Sequence, residues 1–219
     1  MILFLLVAIL GMEMPDLVGH DGSIASAPIV IAGPDRQSPD DLALIREACS
    51  SIKTMQCDFE QEKISSLLAD KPVSKGKMWF DGKNVRWEYK SPEPFLFVMD
   101  GTLVLLEGKE RNIKEIKTDR LFSRIAKLAD GNNIMLGQGL DRIPDFDAIL
   151  TREKEVLIVE LIPIRHDLQL MFRKVRLHFG SDYRVQKLEL LEKGSDRTVI
   201  TLKNQKYNAA IPAKLFEIE

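Results

Sequence analysis

Hydrophobic and polar residues alternate with a period of two over much of the chain. The pattern begins at Gln56 and continues through runs at 56–64, 75–80, 85–90, 95–99 and 102–108. An Asp-Gly pair at 81–82 separates the second run from the third, and another at 100–101 separates the fourth from the fifth; such pairs favour tight hairpin turns. Four further runs of the same kind occupy 155–164, 168–180, 184–194 and 197–208. The pattern therefore predicts consecutive antiparallel strands.

Two windows have the spacing of amphipathic helices instead. The first follows Ser38 and Pro39, an N-cap hydroxyl and a proline at the first helical position. Its apolar stripe consists of Leu42, Ile45, Cys49 and Ile52. The second runs over 119–129, with Asp119 as the expected cap. Its stripe consists of Leu121, Phe122, Ile125, Leu128 and Ala129.

Strands outnumber helices, so the predicted fold class is mainly β with some α. The runs at 95–99 and 156–162 are apolar on both faces, which requires both faces of that part of the sheet to be covered. A curved sheet or incomplete antiparallel barrel, covered by helices, satisfies this pattern. We expect one domain over 38–219, with 134–150 as an irregular connection.

The first twelve residues form an apolar run too short to cross a bilayer. With Ala25, Ser26 and Ala27 resembling a cleavage site, residues 1–27 are interpreted as a signal peptide or leader, which implies export. Residues 13–37 show little periodicity, and order is expected to begin near Ser38. The alternative is a buried N-terminal strand or helix of a cytosolic protein.

Charge and cysteine content restrict the class of partner. Thirty-one basic and thirty-three acidic residues give a net charge of −2, with no basic stripe, so no nucleic-acid partner is expected. Cys49 and Cys57 are the only cysteines, and their spacing matches neither redox nor zinc motifs. They could form a disulfide in an oxidising compartment or remain two buried thiols.

Little in the sequence indicates catalysis. The three histidines, at 20, 166 and 178, are scattered, and no phosphate-binding loop, zinc-protease or nucleophile-elbow motif is present. His166 and Asp167 are interpreted as a polar turn. We therefore expect no catalytic residue, metal site or cofactor, and a protein that is not an enzyme.

The hairpin at 75–90 contains both tryptophans of the chain. A four-residue turn from Asp81 to Asn84 would pair Phe80 with Val85, Met78 with Trp87 and Gly76 with Tyr89 on one apolar face. The opposite face would pair Trp79 with Arg86 as a cation and ring, and Lys77 with Glu88 as an ion pair. Each face of the hairpin thus carries one tryptophan.

These residues resemble the outer-membrane lipoprotein carrier protein (LolA) family. The resemblance consists of F-x-Q at Phe59 to Gln61, the run from Ser74 to Phe80, V-R-W-E-Y at 85–89, Pro92 and the Asp-Gly at 100–101. It extends more weakly to 208–216, which is similar to the last strands of that family. It covers roughly residues 40–217.

The resemblance implies a periplasmic, monomeric carrier whose apolar cavity binds the acyl chains of lipoproteins. It also implies an inner-membrane releasing complex as donor and an outer-membrane acceptor. A lid helix would cover the cavity, latched by Lys83 or Arg86. The expected ligand-binding residues are Met78, Phe80, Val85, Trp87, Tyr89, Phe97, Leu121, Phe122, Ile125 and Leu128. The alternatives are a lipid- or lipoprotein-sensing module on the same scaffold and, more remotely, a hydrolase of lipidic esters.

Overall fold

The computed structural model describes residues 30–31, 39–65, 71–99, 103–107, 112–116, 137, 140 and 146–217. Most of these residues belong to strands. The strands are β1 (Val30–Ile31), β2 (Met55–Ile64), β3 (Val73–Phe80), β4 (Val85–Ser91), β5 (Phe95–Met99), β6 (Leu103–Glu107), β7 (Asn112–Ile116), β8 (Phe146–Glu153), β9 (Val156–Pro163), β10 (Phe172–Phe179), β11 (Val185–Glu192) and β12 (Arg197–Tyr207). Two helices, α1 (Pro39–Ser50) and α2 (His166–Met171), and a 3-10 helix (Ala213–Phe216) accompany them.

Within the described residues, the twelve strands form one sheet in the order β1-β8-β9-β10-β11-β12-β2-β3-β4-β5-β6-β7. Neighbouring strands are antiparallel apart from the short β1, which runs parallel to β8. The sheet is curved and does not close, because β1 and β7 lie at its two edges. The predicted fold class, an open and mainly antiparallel curved sheet, is confirmed.

The two faces of the sheet differ in polarity. Residues of one face are buried in a single connected hydrophobic cluster, and this face is called the apolar face below. In the central strands it contains Met55, Cys57, Phe59, Met78, Phe80, Trp87, Tyr89, Leu188, Leu190, Ile200 and Leu202. The opposite face carries ion pairs, such as Glu60 between Lys75 and Lys203. Period-two alternation in the sequence produces this separation directly.

Helix α1 packs its predicted stripe against the apolar face. Ile45 and Cys49 are fully buried in the hydrophobic cluster, where Ile52 joins them just after the helix. The helix begins at Pro39 as predicted, and both carboxylate oxygens of Asp41 accept hydrogen bonds from Arg152 on β8 at 2.9 and 2.8 Å. Among the described residues, no helix is long and apolar enough to span a membrane.

Of the two alternatives for the cysteines, a disulfide or two buried thiols, the structure contains the thiols. Cys49 and Cys57 are both buried, and no disulfide joins them. Burial raises the pKa of each thiol to about 12, which keeps both protonated and unreactive at neutral pH. Cys49 Sγ donates a long hydrogen bond, 3.5 Å, to the carbonyl oxygen of Tyr183.

Two segments that were predicted to be irregular contain strand residues, so both predictions were wrong. Strand β1 lies inside 13–37, where a leader without structure was expected, and pairs with β8 through Val30 and Ile31. Strand β8 begins at Phe146, whereas 134–150 was predicted to be an irregular connection. Strand β1 is too short to show a period, and the start of β8 closely follows Gly137, Gly139 and Pro144, which are typical of irregular segments.

Three local assignments were also wrong. His166 and Asp167 begin the short helix α2 and do not form a simple turn, and the run from 168 becomes a strand only at Phe172. The segment at 213–216 is a 3-10 helix, so the last strand is β12. Short apolar runs fit both periods, so pattern alone does not separate a one-turn helix from a strand. The predicted helix over 119–129 lies outside the described residues.

A glycine in the middle of β3 is required by close packing. A Cβ atom on Gly76 would lie 2.0 Å from the carbonyl oxygen of Glu88 and 2.6 Å from Phe59 Cζ. We predict that Gly76→Ala lowers the free energy of unfolding by more than about 3 kcal/mol, because a backbone oxygen cannot yield without separating strands. Urea unfolding measures this loss.

The matched control is Gly194→Ala. Gly194 has a positive φ of 84° but no atom within 4 Å of the added Cβ. Only backbone strain is then expected, about 1–2 kcal/mol. An equal loss in the two variants would contradict the close-packing argument.

Candidate functional site

The tryptophan hairpin has the predicted register. Phe80 pairs with Val85, Met78 with Trp87 and Gly76 with Tyr89. The turn is closed by Asp81, whose Oδ1 accepts hydrogen bonds from the backbone N–H groups of Lys83 and Asn84 at 2.9 and 2.6 Å. The register sends Trp87 and Tyr89 to the apolar face.

Four aromatic rings from three strands form a continuous wall on that face. Phe59 on β2 lies 4.6 Å from Trp87 and 4.9 Å from Tyr89, measured between ring centroids. Tyr89 is in turn 6.0 Å from Phe95 on β5, in an edge-to-face arrangement. Phe59 can cross β3 because Gly76, its register partner, presents no side chain. The result is an apolar surface several strands wide.

One polar pair interrupts this wall. The hydroxyl of Tyr89 donates a 2.9 Å hydrogen bond to Gln61 Oε1, and both residues are buried. Burial raises the pKa of the Tyr89 hydroxyl far above its ordinary value, an effect that the nearby Trp87 indole N–H only partly opposes. Tyr89 is therefore neutral and acts as a hydrogen-bond donor at every physiological pH.

Most of the predicted hairpin residues lie where expected. Met78, Phe80, Trp87 and Tyr89 are at most 8 % exposed and belong to the hydrophobic cluster, with Val85 half-buried against it. The backbone of Phe97 pairs with Trp87, which places that position in the same register row. The remaining predicted residues, Leu121, Phe122, Ile125 and Leu128, lie outside the described part of the chain.

The opposite face of the hairpin agrees with prediction in one pair and departs from it in another. The guanidinium of Arg86 lies 5.9 Å from the centre of the Trp79 ring, as expected. Lys77, however, is 3.8 Å from Asp58 on β2, and Glu88 is 3.2 Å from Arg86. The predicted Lys77 to Glu88 pair was wrong because each side chain has an alternative partner beside it.

Among the described residues, Arg86 contacts the C-terminal segment on the face opposite the apolar face. Its Nη1 donates a 2.9 Å hydrogen bond to the carbonyl oxygen of Leu215, in the C-terminal 3-10 helix on the opposite face. Lys83 lies exposed in the hairpin turn. Arg86 instead secures the C-terminus of the described chain to β4.

Sequence reasoning missed part of the wall. Cys57, Phe59 and Gln61 alternate on β2 and lie in register with the hairpin, yet no residue of β2 was assigned to the site. Two sequence features could have identified these residues: the same alternation with a period of two, and the F-x-Q motif. Leu188 and Leu190 on β11 and neighbouring strand residues extend the same surface.

Reactive groups are scarce on this surface. Among the described residues, no three His, Cys, Asp or Glu side chains lie together in an arrangement that could hold a metal ion. The polar atoms of the wall are a neutral amide, a phenol and an indole N–H. What the described surface offers a ligand is apolar contact area and a few hydrogen bonds.

The sequence of this open, curved sheet also matches a known protein family. The family model for outer membrane lipoprotein carrier protein LolA matches residues 50–219. This chain belongs to that family, whose members are related to lipoprotein-binding and sorting proteins. No curated protein matches the sequence closely enough to count as a relative.

Several solved structures are similar to the chain at low identity. A LolA superfamily protein from Nitrosomonas europaea is 15 % identical, with 81 % of this chain and 97 % of that chain covered and a TM-score of 0.42. The lipoprotein LppX from Mycobacterium tuberculosis is 10 % identical, with 80 % and 99 % covered and a TM-score of 0.43. MucB of Pseudomonas aeruginosa, in its complex with MucA, is 16 % identical, with 82 % and 60 % covered and a TM-score of 0.42. The family assignment rests on the family model.

The buried pair of Gln61 and Tyr89 should show strong coupling. Tyr89→Phe leaves Gln61 Oε1 without this donor in an apolar surrounding, and we predict a loss of about 1–3 kcal/mol in the free energy of unfolding. Adding Gln61→Leu removes the orphaned oxygen as well. The double variant should therefore be more stable than the sum of the single losses implies. Strict additivity in urea unfolding would show that the bond contributes nothing.

Proposed function

We propose that this protein is a periplasmic chaperone that binds the acyl chains of lipoproteins and carries them toward the outer membrane. The proposal is supported by membership of the LolA family together with one observation. In an open sheet, the Trp87 side of the central hairpin lies within a continuous apolar face that extends across strands from β8 to β4. Such a face suits a ligand made of hydrocarbon.

The energetics of the task match an apolar surface and need no catalytic group. Each methylene removed from water contributes about 0.8 kcal/mol, so one sixteen-carbon chain represents about 12 kcal/mol. A carrier must recover most of this free energy in the complex and still release the chain at its destination. A surface that a movable element covers and uncovers meets both requirements.

We place the ligand against Met78, Phe80, Val85, Trp87 and Tyr89, with Phe97 in the same row. The segment containing Leu121, Phe122, Ile125 and Leu128 would be the underside of a lid helix over this wall. Helix α1 is fixed elsewhere, through Arg152 on β8 and the carbonyl of Tyr183 after β10, so a separate cover for the hairpin is expected. The partners would be acylated lipoproteins, an inner-membrane releasing complex and an outer-membrane acceptor.

A charge on the wall should abolish acyl binding. We predict that Trp87→Asp weakens binding of a synthetic triacylated lipopeptide at least tenfold, because an ionised carboxylate within an apolar site is costly. Displacement of a fluorescent fatty acid measures the affinity, and circular dichroism checks the fold. Trp79→Asp, on the opposite face of the same hairpin, is the matched control and should stay within about twofold of the wild type.

A second variant keeps the test interpretable if the Trp87→Asp protein does not fold. Trp87 packs on Phe59, so its replacement also removes core contacts, whereas Val85 is half-buried and lies on the same face. Val85→Asp should weaken binding in the same direction with less loss of stability. Unchanged affinity in a folded Val85→Asp or Trp87→Asp protein would exclude this face as the acyl site.

The cargo decides between the carrier and a sensing module on the same scaffold. Protein purified from its native host and analysed by native mass spectrometry should carry triacylated protein if it is a carrier. Recovery of free lipid, or of a signalling protein without acyl cargo, would instead support the sensor.

A further inference from the structure

The apolar face contains a small polar cluster whose members come from β2 and β4. It consists of Gln61, Tyr89 and Trp87, which are 4 %, 8 % and 2 % exposed. Tyr89 donates its hydroxyl proton to Gln61 Oε1 at 2.9 Å. The ring of Phe59 lies against both Trp87 and Tyr89, at 4.6 and 4.9 Å between ring centroids.

Trp87 is the member that lacks a partner. Its Nε1–H is fully shielded from solvent and makes no hydrogen bond within the described part of the chain. The indole N–H lies near enough to the Tyr89 hydroxyl to lower the pKa of that hydroxyl slightly, yet it forms no hydrogen bond of normal geometry with it. Buried donors of native proteins are nearly always paired, so an unpaired one at a proposed ligand wall indicates an acceptor that arrives with the ligand.

The surroundings restrict what that acceptor can be. An indole N–H only donates, so the incoming atom must be an acceptor such as a carbonyl oxygen. The cluster itself is neutral, and the nearest cation along the same face of β2, Lys63, forms an ion pair with Glu192. A carboxylate would be buried here without a counter-charge, at high cost, whereas an uncharged carbonyl would not.

We infer that Trp87 Nε1–H, supported by the Gln61–Tyr89 pair, binds the carbonyl oxygen of an acyl ester or amide and so fixes how deep the hydrocarbon chain enters. This inference rests on the proposed function. Every acyl chain attached to a lipoprotein begins at such a carbonyl, and the polymethylene part would continue over Met78 and Phe80. The cluster thereby distinguishes an acyl chain from a plain hydrocarbon of equal length.

Two lysolipids test this directly, since they differ only in the carbonyl. Palmitoyl lysophosphatidylcholine has an ester, and its O-hexadecyl analogue has an ether at the same position. Below their critical micelle concentrations, isothermal titration calorimetry should show that the wild type binds the ester about fivefold to tenfold more tightly, the contribution of one hydrogen bond. Trp87→Phe keeps an aromatic ring but removes the donor, and should reduce this preference to less than twofold, because any lost ring contact weakens both lysolipids alike.

Trp79→Phe is the matched control and should retain the full ester preference. It also assigns the two indole signals in a proton–nitrogen NMR spectrum. In the wild type, the Trp87 indole proton should move downfield with the ester and stay in place with the ether. This spectrum keeps the test valid even if Trp87→Phe fails to fold.

The possible results distinguish a failure of the carbonyl contact from a failure of the proposed acyl binding. If the wild type binds neither lysolipid, acyl binding itself fails. If it binds both with equal affinity and the Trp87 indole proton does not respond, acyl binding stands but the carbonyl contact is wrong, and the buried N–H is satisfied in some other way, such as by water. An ester preference that persists in Trp87→Phe would also overturn it.

Discussion

The structure depends on one constraint: an open sheet with one apolar face must keep that face from water. Its central strands alternate, so residues such as Trp87 and Leu202 enter the hydrophobic cluster while Lys77 and Lys203 on the other parity remain in salt bridges. Helix α1 provides part of the cover over this face. Helix α1 contributes Ile45 and Cys49 to the cluster and is tied to β8 through Asp41 and Arg152.

The same constraint bears on the proposed carrier function. The core of a protein is packed once, during folding. The binding surface of a carrier is covered and uncovered repeatedly, so the element that covers it must be able to move away from the wall. In this chain close contacts define the wall. Phe59 spans Gly76 to contact rings on β4, and Asp81 closes the turn that sets the hairpin register. Under the proposed function, these contacts hold the atoms that would meet the ligand, such as the indole N–H of Trp87, in one arrangement.

A structural feature could be predicted from the sequence only where the residues that determine it lie close together in the chain. The register of β3 and β4 was predicted correctly because the turn and the parity of Met78 and Trp87 fix it within twenty residues. The Gln61 to Tyr89 bond was not predicted, since the two residues lie two strands apart and meet across β3. The partner of Lys77 was predicted wrongly for a related reason. A side chain in a central strand has neighbours on both sides, and the hairpin alone shows only one. Strand β1 has no local signal, because two residues are ordered only by pairing with β8.

The central claim is that acyl chains lie against the Trp87 face of the hairpin, and fluorescence quenching by a bromine-labelled acyl chain tests it most directly. Trp79→Phe leaves Trp87 as the single tryptophan of the chain, and Trp87→Phe leaves Trp79. Bromine quenches an indole only near contact, so the account predicts strong, saturable quenching in Trp79→Phe and little in Trp87→Phe. Saturable binding that leaves Trp87 unquenched, or that quenches Trp79 instead, would contradict it.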